Sequence, residues 1–307
     1  FDSGSADWGL EGYYDSVLNG VDGRQYGYFS SDSTVEQNTI QPTDGKTIKT
    51  TIDANIQQIV EKYIQAFIHA MGSEELGVIV MDPDSGEVLA MGTRDFYDLN
   101  NPRDLTGRYT QQEIEQMSDE ETVEALNNMW RNYCVTDSFE PGSTTKPLLV
   151  AAAMEAGIIQ KDDRFLCDGG WSYGEGDDEY IRCNDVHGDQ SLADVIANSC
   201  NDAMMQIGAM MGGEKFLEAQ SMMNLGLKTG IDLPGEGLGV LHTKDSLGSV
   251  ELATDSFGQG FMITMIQEIA ALSSIINGGY YYQPHLVSKI LDSEGKVVKQ
   301  VTPTLMR

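Results

Sequence analysis

Two short apolar runs, 76–81 and 87–91, are separated only by Asp82-Pro83-Asp84-Ser85-Gly86. Those five residues are turn formers, so the pair reads as a β-hairpin with antiparallel strands. A second pair, 286–291 and 297–301, brackets Asp292-Ser293-Glu294-Gly295 in the same way. Most apolar residues between the hairpins recur at helical rather than alternating spacing. Helices interrupting a few hairpin strands predict an α+β fold, an antiparallel sheet flanked by helices.

The helices are marked by their ends. Asp53 is a strong N-cap, and Ile56, Ile59, Val60, Tyr63 and Phe67 follow at helical spacing up to Gly72. Within the polar stretch 93–139, one helical segment is expected near 111–130. Pro141-Gly142 breaks the chain, and a helix is expected from Ser143 to Glu155. Ser191 caps another, with Leu192, Val195, Ile196 and Ser199 on one face. Helices over 203–211 and 214–223 are separated by Gly212-Gly213, and their methionines suit core filling. A last helix carries Ile266, Ile269, Leu272 and Ile276 and stops at Asn277-Gly278-Gly279. Residues 1–50, rich in Gly, Asp, Ser and Tyr, lack such periodicity and read as a connector.

Composition excludes some functions. Apolar residues make up 40% and charged residues 22% of the 307 positions, which suits a folded core. The formal net charge of −29 repels phosphate backbones and argues against nucleic-acid binding. The acidic residues are scattered and point to no site. No apolar run reaches the length of a membrane-spanning helix. The chain opens in mid-pattern at Phe1, as if cut from something longer.

The four cysteines are Cys134, Cys167, Cys183 and Cys200. Cys167 and Cys183 flank a polar, Gly-rich stretch, and in an exported protein that spacing suits a small disulfide loop; free thiols are the alternative. His187 follows Cys183 by four positions, but without a second close pair of ligands no metal centre is expected. No cofactor is expected either.

The sharpest chemical feature is Pro141-Gly142-Ser143-Thr144-Thr145-Lys146-Pro147. A turn delivers Ser143 to a helix N-terminus, where unpaired N–H groups and the positive dipole end favour an alkoxide or oxyanion. Lys146 stands three residues on, on the same face, within expected reach of the Ser143 hydroxyl. A lysine in a dry pocket has a lowered pKa and can act as a base. Pro147 is tolerated only if the helix starts close by. Alone, S-x-x-K is a pattern that chance supplies. Ser199-Cys200-Asn201 is a second feature: a hydroxyl and an amide at a helix–loop junction can relay a proton and hold an amide substrate, although an ordinary cap would look the same.

Together these segments resemble the class B penicillin-binding proteins over nearly the whole chain. The resemblance is carried, in order, by Gly9-Leu10-Glu11 with Tyr14 and Asp15, Leu18-Asn19-Gly20, Thr51-Ile52-Asp53 with Gln57, and Met81-Asp82-Pro83 with 85–91. It continues through 140–147, His187-Gly188, Ser199-Cys200-Asn201, 231–236, Gly258-Gln259-Gly260 with Thr264 and Gln267, Asn277-Gly278-Gly279 and Pro284-His285-Leu286-Val287. It implies a β-lactamase/transpeptidase-like fold, with a pedestal end or linker over 1–50 and a transpeptidase domain over 51–307. It implies a peptidoglycan D,D-transpeptidase, working through a serine acyl-enzyme and inhibited by β-lactams.

Carried over by position, Ser143 would be the nucleophile and Lys146 its base. Ser199 and Asn201 would form the second motif, and Gly258, Gln259 and Gly260 would border the substrate. The family implies a membrane anchor outside this chain and work on the outer face of the cytoplasmic membrane. It also implies stem-peptide substrates and partners among membrane glycosyltransferases and division or elongation proteins. That oxidising location favours a Cys167–Cys183 bond.

Lys228-Thr229-Gly230 precedes the 231–236 segment and is not read as the family's third motif. The expected K-T-G strand would follow Arg307, so the chain by itself is expected to be inactive or nearly so. Two other functions compete. A β-lactamase needs a deacylating Glu in an E-x-x-L-N pattern, and none follows Asn201. A non-catalytic β-lactam sensor or scaffold would not need both the Ser143/Lys146 and Ser199/Asn201 pairs.

Overall fold

In the computed structural model, which describes residues 8–29, 35–73, 75–94, 96–173 and 179–307, every strand ladder is antiparallel. The first hairpin pairs Gly77–Met81 with Val88–Thr93, and the second pairs Val287–Leu291 with Val297–Gln300. Val287–Leu291 also pairs on its other edge with Thr47–Thr50. This part of the expected connector is therefore a sheet strand, and a boundary at residue 50 would cut a ladder.

The Ala54–Met71 helix is closed as its ends predict. The Asp53 carboxylate accepts bonds from the amides of Asn55 and Ile56, and Gly72 turns left-handed at φ 66°. Its buried stripe is rotated from the expected one. Val60 and Ile64 are buried, whereas Ile59, Tyr63 and Phe67 are 56%, 65% and 46% exposed. The reason lies in the hairpin beneath: a Cβ at Gly92 would stand 2.8 Å from Ile64 and 3.2 Å from Val60, so these two side chains nest over a glycine.

The 111–130 stretch is two helices, Gln111–Gln116 and Asp119–Trp130, each opened by a reciprocal capping box, Thr110 with Glu113 and Ser118 with Glu121. The long Asn201–Met222 helix kinks at Gly212, φ 72° and ψ 159°, between the two segments read from sequence. Met204, Met205 and Met211 are buried there among Leu149, Ala153, Phe165 and Phe257. A second core joins the hairpin to the rest through Val88, Val135, Ile231, Ile266 and Leu286. The core that carries the methionines also encloses the two helix starts bearing the candidate chemistry.

Candidate active site

Gly142–Thr145 winds as a 3-10 turn and passes into the Lys146–Glu155 α-helix, so Pro147 falls in the first α-turn, where it displaces no hydrogen bond. Ser143 thus sits one turn ahead of the α-helix, rather than starting it. The turn is held from behind: the Gly142 amide donates to the Gly258 carbonyl at 2.8 Å, and the Gly260 amide donates to Glu140 at 3.0 Å. A Cβ at Gly258, itself at φ 89°, would lie 1.9 Å from the Gly142 oxygen. The glycines of 258–260 therefore pack against the turn that bears Ser143.

The Leu192–Ala197 helix ends two residues before Ser199, so Ser199 does not share its face. Ser199 instead occupies the corner before the next helix, at φ 51°. A left-handed non-glycine residue stores on the order of 1–3 kcal/mol and persists only where its surroundings hold it. Here the surroundings are polar. The Lys146 amine donates to the Ser199 carbonyl at 2.6 Å, to Ser199 Oγ at 2.9 Å and to Asn201 Oδ1 at 2.6 Å. Ser199 Oγ in turn donates to Ser143 Oγ at 2.8 Å. The expected Lys146-to-Ser143 contact is thus replaced by a chain, Ser143 Oγ to Ser199 Oγ to Lys146 Nζ. The amine is drawn aside because the left-handed corner turns the Ser199 carbonyl toward it.

Lys146 is 2% exposed. Burial pushes its pKa down from 10.5 to about 8, against the opposing pull of Cys183 and Cys200. Close to one tenth of such amines are neutral at pH 7, and most are neutral above pH 9. The arrangement can therefore take a proton from Ser143 through Ser199 and return it. Asn201 fixes the amine with its Oδ1, and its Nδ2 lies 3.4 Å from Asn184 Oδ1, a residue the sequence reading missed.

Lys228-Thr229-Gly230 is committed elsewhere. The Thr229 amide and hydroxyl and the Gly230 amide all donate to the Glu236 carboxylate.

All four cysteines are free thiols, so the expected Cys167–Cys183 bond is not formed. The Cys183 sulfur lies 3.8 Å from that of Cys200 and 3.8 Å from His187 Nδ1. A disulfide needs about 2.05 Å.

A serine hydroxyl on a turn before a helix, wired through a second serine to a buried lysine within an α+β fold, is an arrangement suited to serine acyl transfer. The chain belongs to the penicillin binding protein transpeptidase domain family, whose description matches residues 76–306. Stage V sporulation protein D of Bacillus subtilis is 33% identical over 304 residues, covering 96% of this chain and 44% of that protein. The Escherichia coli K12 peptidoglycan D,D-transpeptidase FtsI is 26% identical over 291 residues, covering 92% and 44%. The chain thus spans less than half the length of these curated relatives. The crystal structure of a peptidoglycan synthetase from Bifidobacterium adolescentis superimposes with a TM-score of 0.80 at 27% identity, covering 97% of this chain and 51% of that one. These likenesses agree with the class B resemblance and with the α+β architecture.

Proposed function

We propose that the chain carries the catalytic serine of a peptidoglycan D,D-transpeptidase. The observation that carries this reading is the unbroken line from Ser143 Oγ through Ser199 Oγ to the buried Lys146 amine. Ser143 Oγ attacks the carbonyl between two terminal D-alanines. Its proton passes to Ser199, whose own proton moves to the neutral Lys146 amine. The backbone amide of Ser143 faces the developing oxyanion. As the tetrahedral adduct collapses, Lys146 returns its proton through Ser199 to the leaving nitrogen. D-alanine departs, leaving the stem peptide as an ester of Ser143. An amine from a neighbouring stem peptide then attacks that ester, loses its proton to the same relay and restores the hydroxyl. A β-lactam ring enters by the first step, but its leaving nitrogen stays tethered.

Gly258, Gln259 and Gly260 border the substrate in this reading, and the same segment packs against the turn that holds Ser143. Residues 1–50 act as the end of a pedestal, its last strand merging into the transpeptidase domain. In this reading the protein works at the outer face of the cytoplasmic membrane on peptidoglycan stem peptides, beside a glycosyltransferase and division or elongation proteins. No helix of the described residues is long and apolar enough to cross a membrane.

The test is a fluorescent penicillin on the complete gene product. Peptide mass spectrometry is expected to find the adduct on Ser143, and Ser143→Ala is expected to abolish labelling with its melting curve unchanged. An adduct on another residue, or labelling that survives the substitution, would sink the reading.

A further inference from the structure

Cys167, Cys183, His187 and Cys200 place one ligand atom each within 4.8 Å of all the others. They come from four places: the end of the Arg164–Cys167 strand, the 183–187 turn at two points, and the N-cap of the Asn201–Met222 helix. Gly188, next to His187, pairs with Cys167 across the ladder, so the backbone itself draws the two together. Cys167 and Cys200 are wholly buried, and Cys183 and His187 are half-buried.

A tetrahedral ion with metal–sulfur bonds of about 2.3 Å and a metal–nitrogen bond of about 2.0 Å sets its ligands roughly 3.5–3.8 Å apart. The Cys183–Cys200 and Cys183–His187 separations are both 3.8 Å. Backbone amides surround the sulfurs as they surround metal thiolates. Ala203 donates to Cys200 Sγ at 3.4 Å; those of Asp202, Asp185 and Asn201 face Cys183, and those of His187 and Gly169 face Cys167. A disulfide would use two of the four groups and leave no reason for the others to converge.

We propose that Cys167, Cys183, His187 and Cys200 bind one zinc ion in a closed tetrahedral site. Three thiolates and an imidazole select a thiophilic ion over magnesium or calcium. Four protein ligands leave no open position, so the ion is structural and takes no part in the chemistry. This replaces the sequence-based expectation of no metal, which rested on the lack of a second close ligand pair. Cys200 lies between Ser199 and Asn201, so the ion clamps the corner that presents both to Lys146. Only this positioning effect rests on the transpeptidase reading; metal binding stands apart from it.

The test uses the complete gene product, purified under reducing conditions without chelator. Elemental analysis is expected to find about one zinc per chain, and exchange for cobalt(II) to give the thiolate charge-transfer and visible bands of a tetrahedral site. Neither measurement needs a variant that folds. Cys183→Ser and His187→Ala are expected to lose the ion, and Cys134→Ser to keep it. A reduced, folded protein that takes up neither zinc nor cobalt would overturn the site, as would zinc that persists in the Cys183→Ser/Cys200→Ser double variant. Chelation is expected to slow penicillin acylation on the order of tenfold or more. Full zinc loss with unchanged acylation would leave the site standing and overturn its positioning role.

Discussion

At the scale of single residues, Lys146 and Ser199 divide the work between charge and shape. In the proposed mechanism a neutral amine is the base, so acylation by penicillin is expected to rise with pH through a midpoint of about 8 and to fall below it as Lys146 takes up a proton. A rate profile with its midpoint near the ordinary lysine value would contradict the burial argument. Ser199 is the strained member, at φ 51°. Ser199→Gly removes the Cβ from that conformation and the hydroxyl from the relay. Stability is expected to hold or rise by up to about 1 kcal/mol, while acylation falls roughly 100- to 10,000-fold. Chemical denaturation and stopped-flow labelling separate the two effects. Equal losses in both would mean that Ser199 is only a structural corner.

Elements meet through a few buried polar groups. The Asp232 carboxylate accepts from the amides of Leu286 and Val287 at 2.6 and 3.0 Å and from the Tyr14 hydroxyl at 2.8 Å. It thus ties the 231–236 segment to a sheet strand and to the N-terminal segment. Asp232→Ala would leave two buried amides without a partner, and a loss of about 2–4 kcal/mol is expected in denaturant unfolding. Asp255 ends the Ser249–Asp255 helix beside Gly260. Burial first, then the negative charges of Glu251 and Glu140, push its carboxyl up from 3.8 to about 7. Between those two values the folded protein holds a proton that the unfolded chain has lost. Asp255 therefore makes stability fall as pH rises from about 4 to 7, and adds no further slope above that. Asp255→Asn is expected to raise the melting temperature more at pH 8 than at pH 4. An equal shift at both would show that the carboxyl titrates normally.

The chain as a whole carries a formal charge of −29, scattered along its sequence rather than gathered in one segment. Self-repulsion of that size opposes the compact state and is screened by salt. Raising sodium chloride from about 0.02 to 0.5 M is expected to raise the melting temperature, because the Debye length drops from roughly 20 to 4 Å. A flat response would mean that the charges are already locally paired.

Much of this was legible in the chain because its causes are local. The Asp53 cap, the left-handed Gly72, the 82–86 turn and the Gly212 kink all depend on neighbours within a few positions. Ser143, Lys146, Ser199 and Asn201 were likewise marked by short patterns. Their wiring was not, since Lys146 meets Ser199 across 53 positions and Tyr14 meets Asp232 across 218. The pairing of Thr47–Thr50 with Val287–Leu291 and the convergence of three sulfurs on His187 are of the same kind. A residue's type and spacing state what it can do. Which partner it does it with depends on a fold that brings distant backbone together, and no local pattern carries that distance.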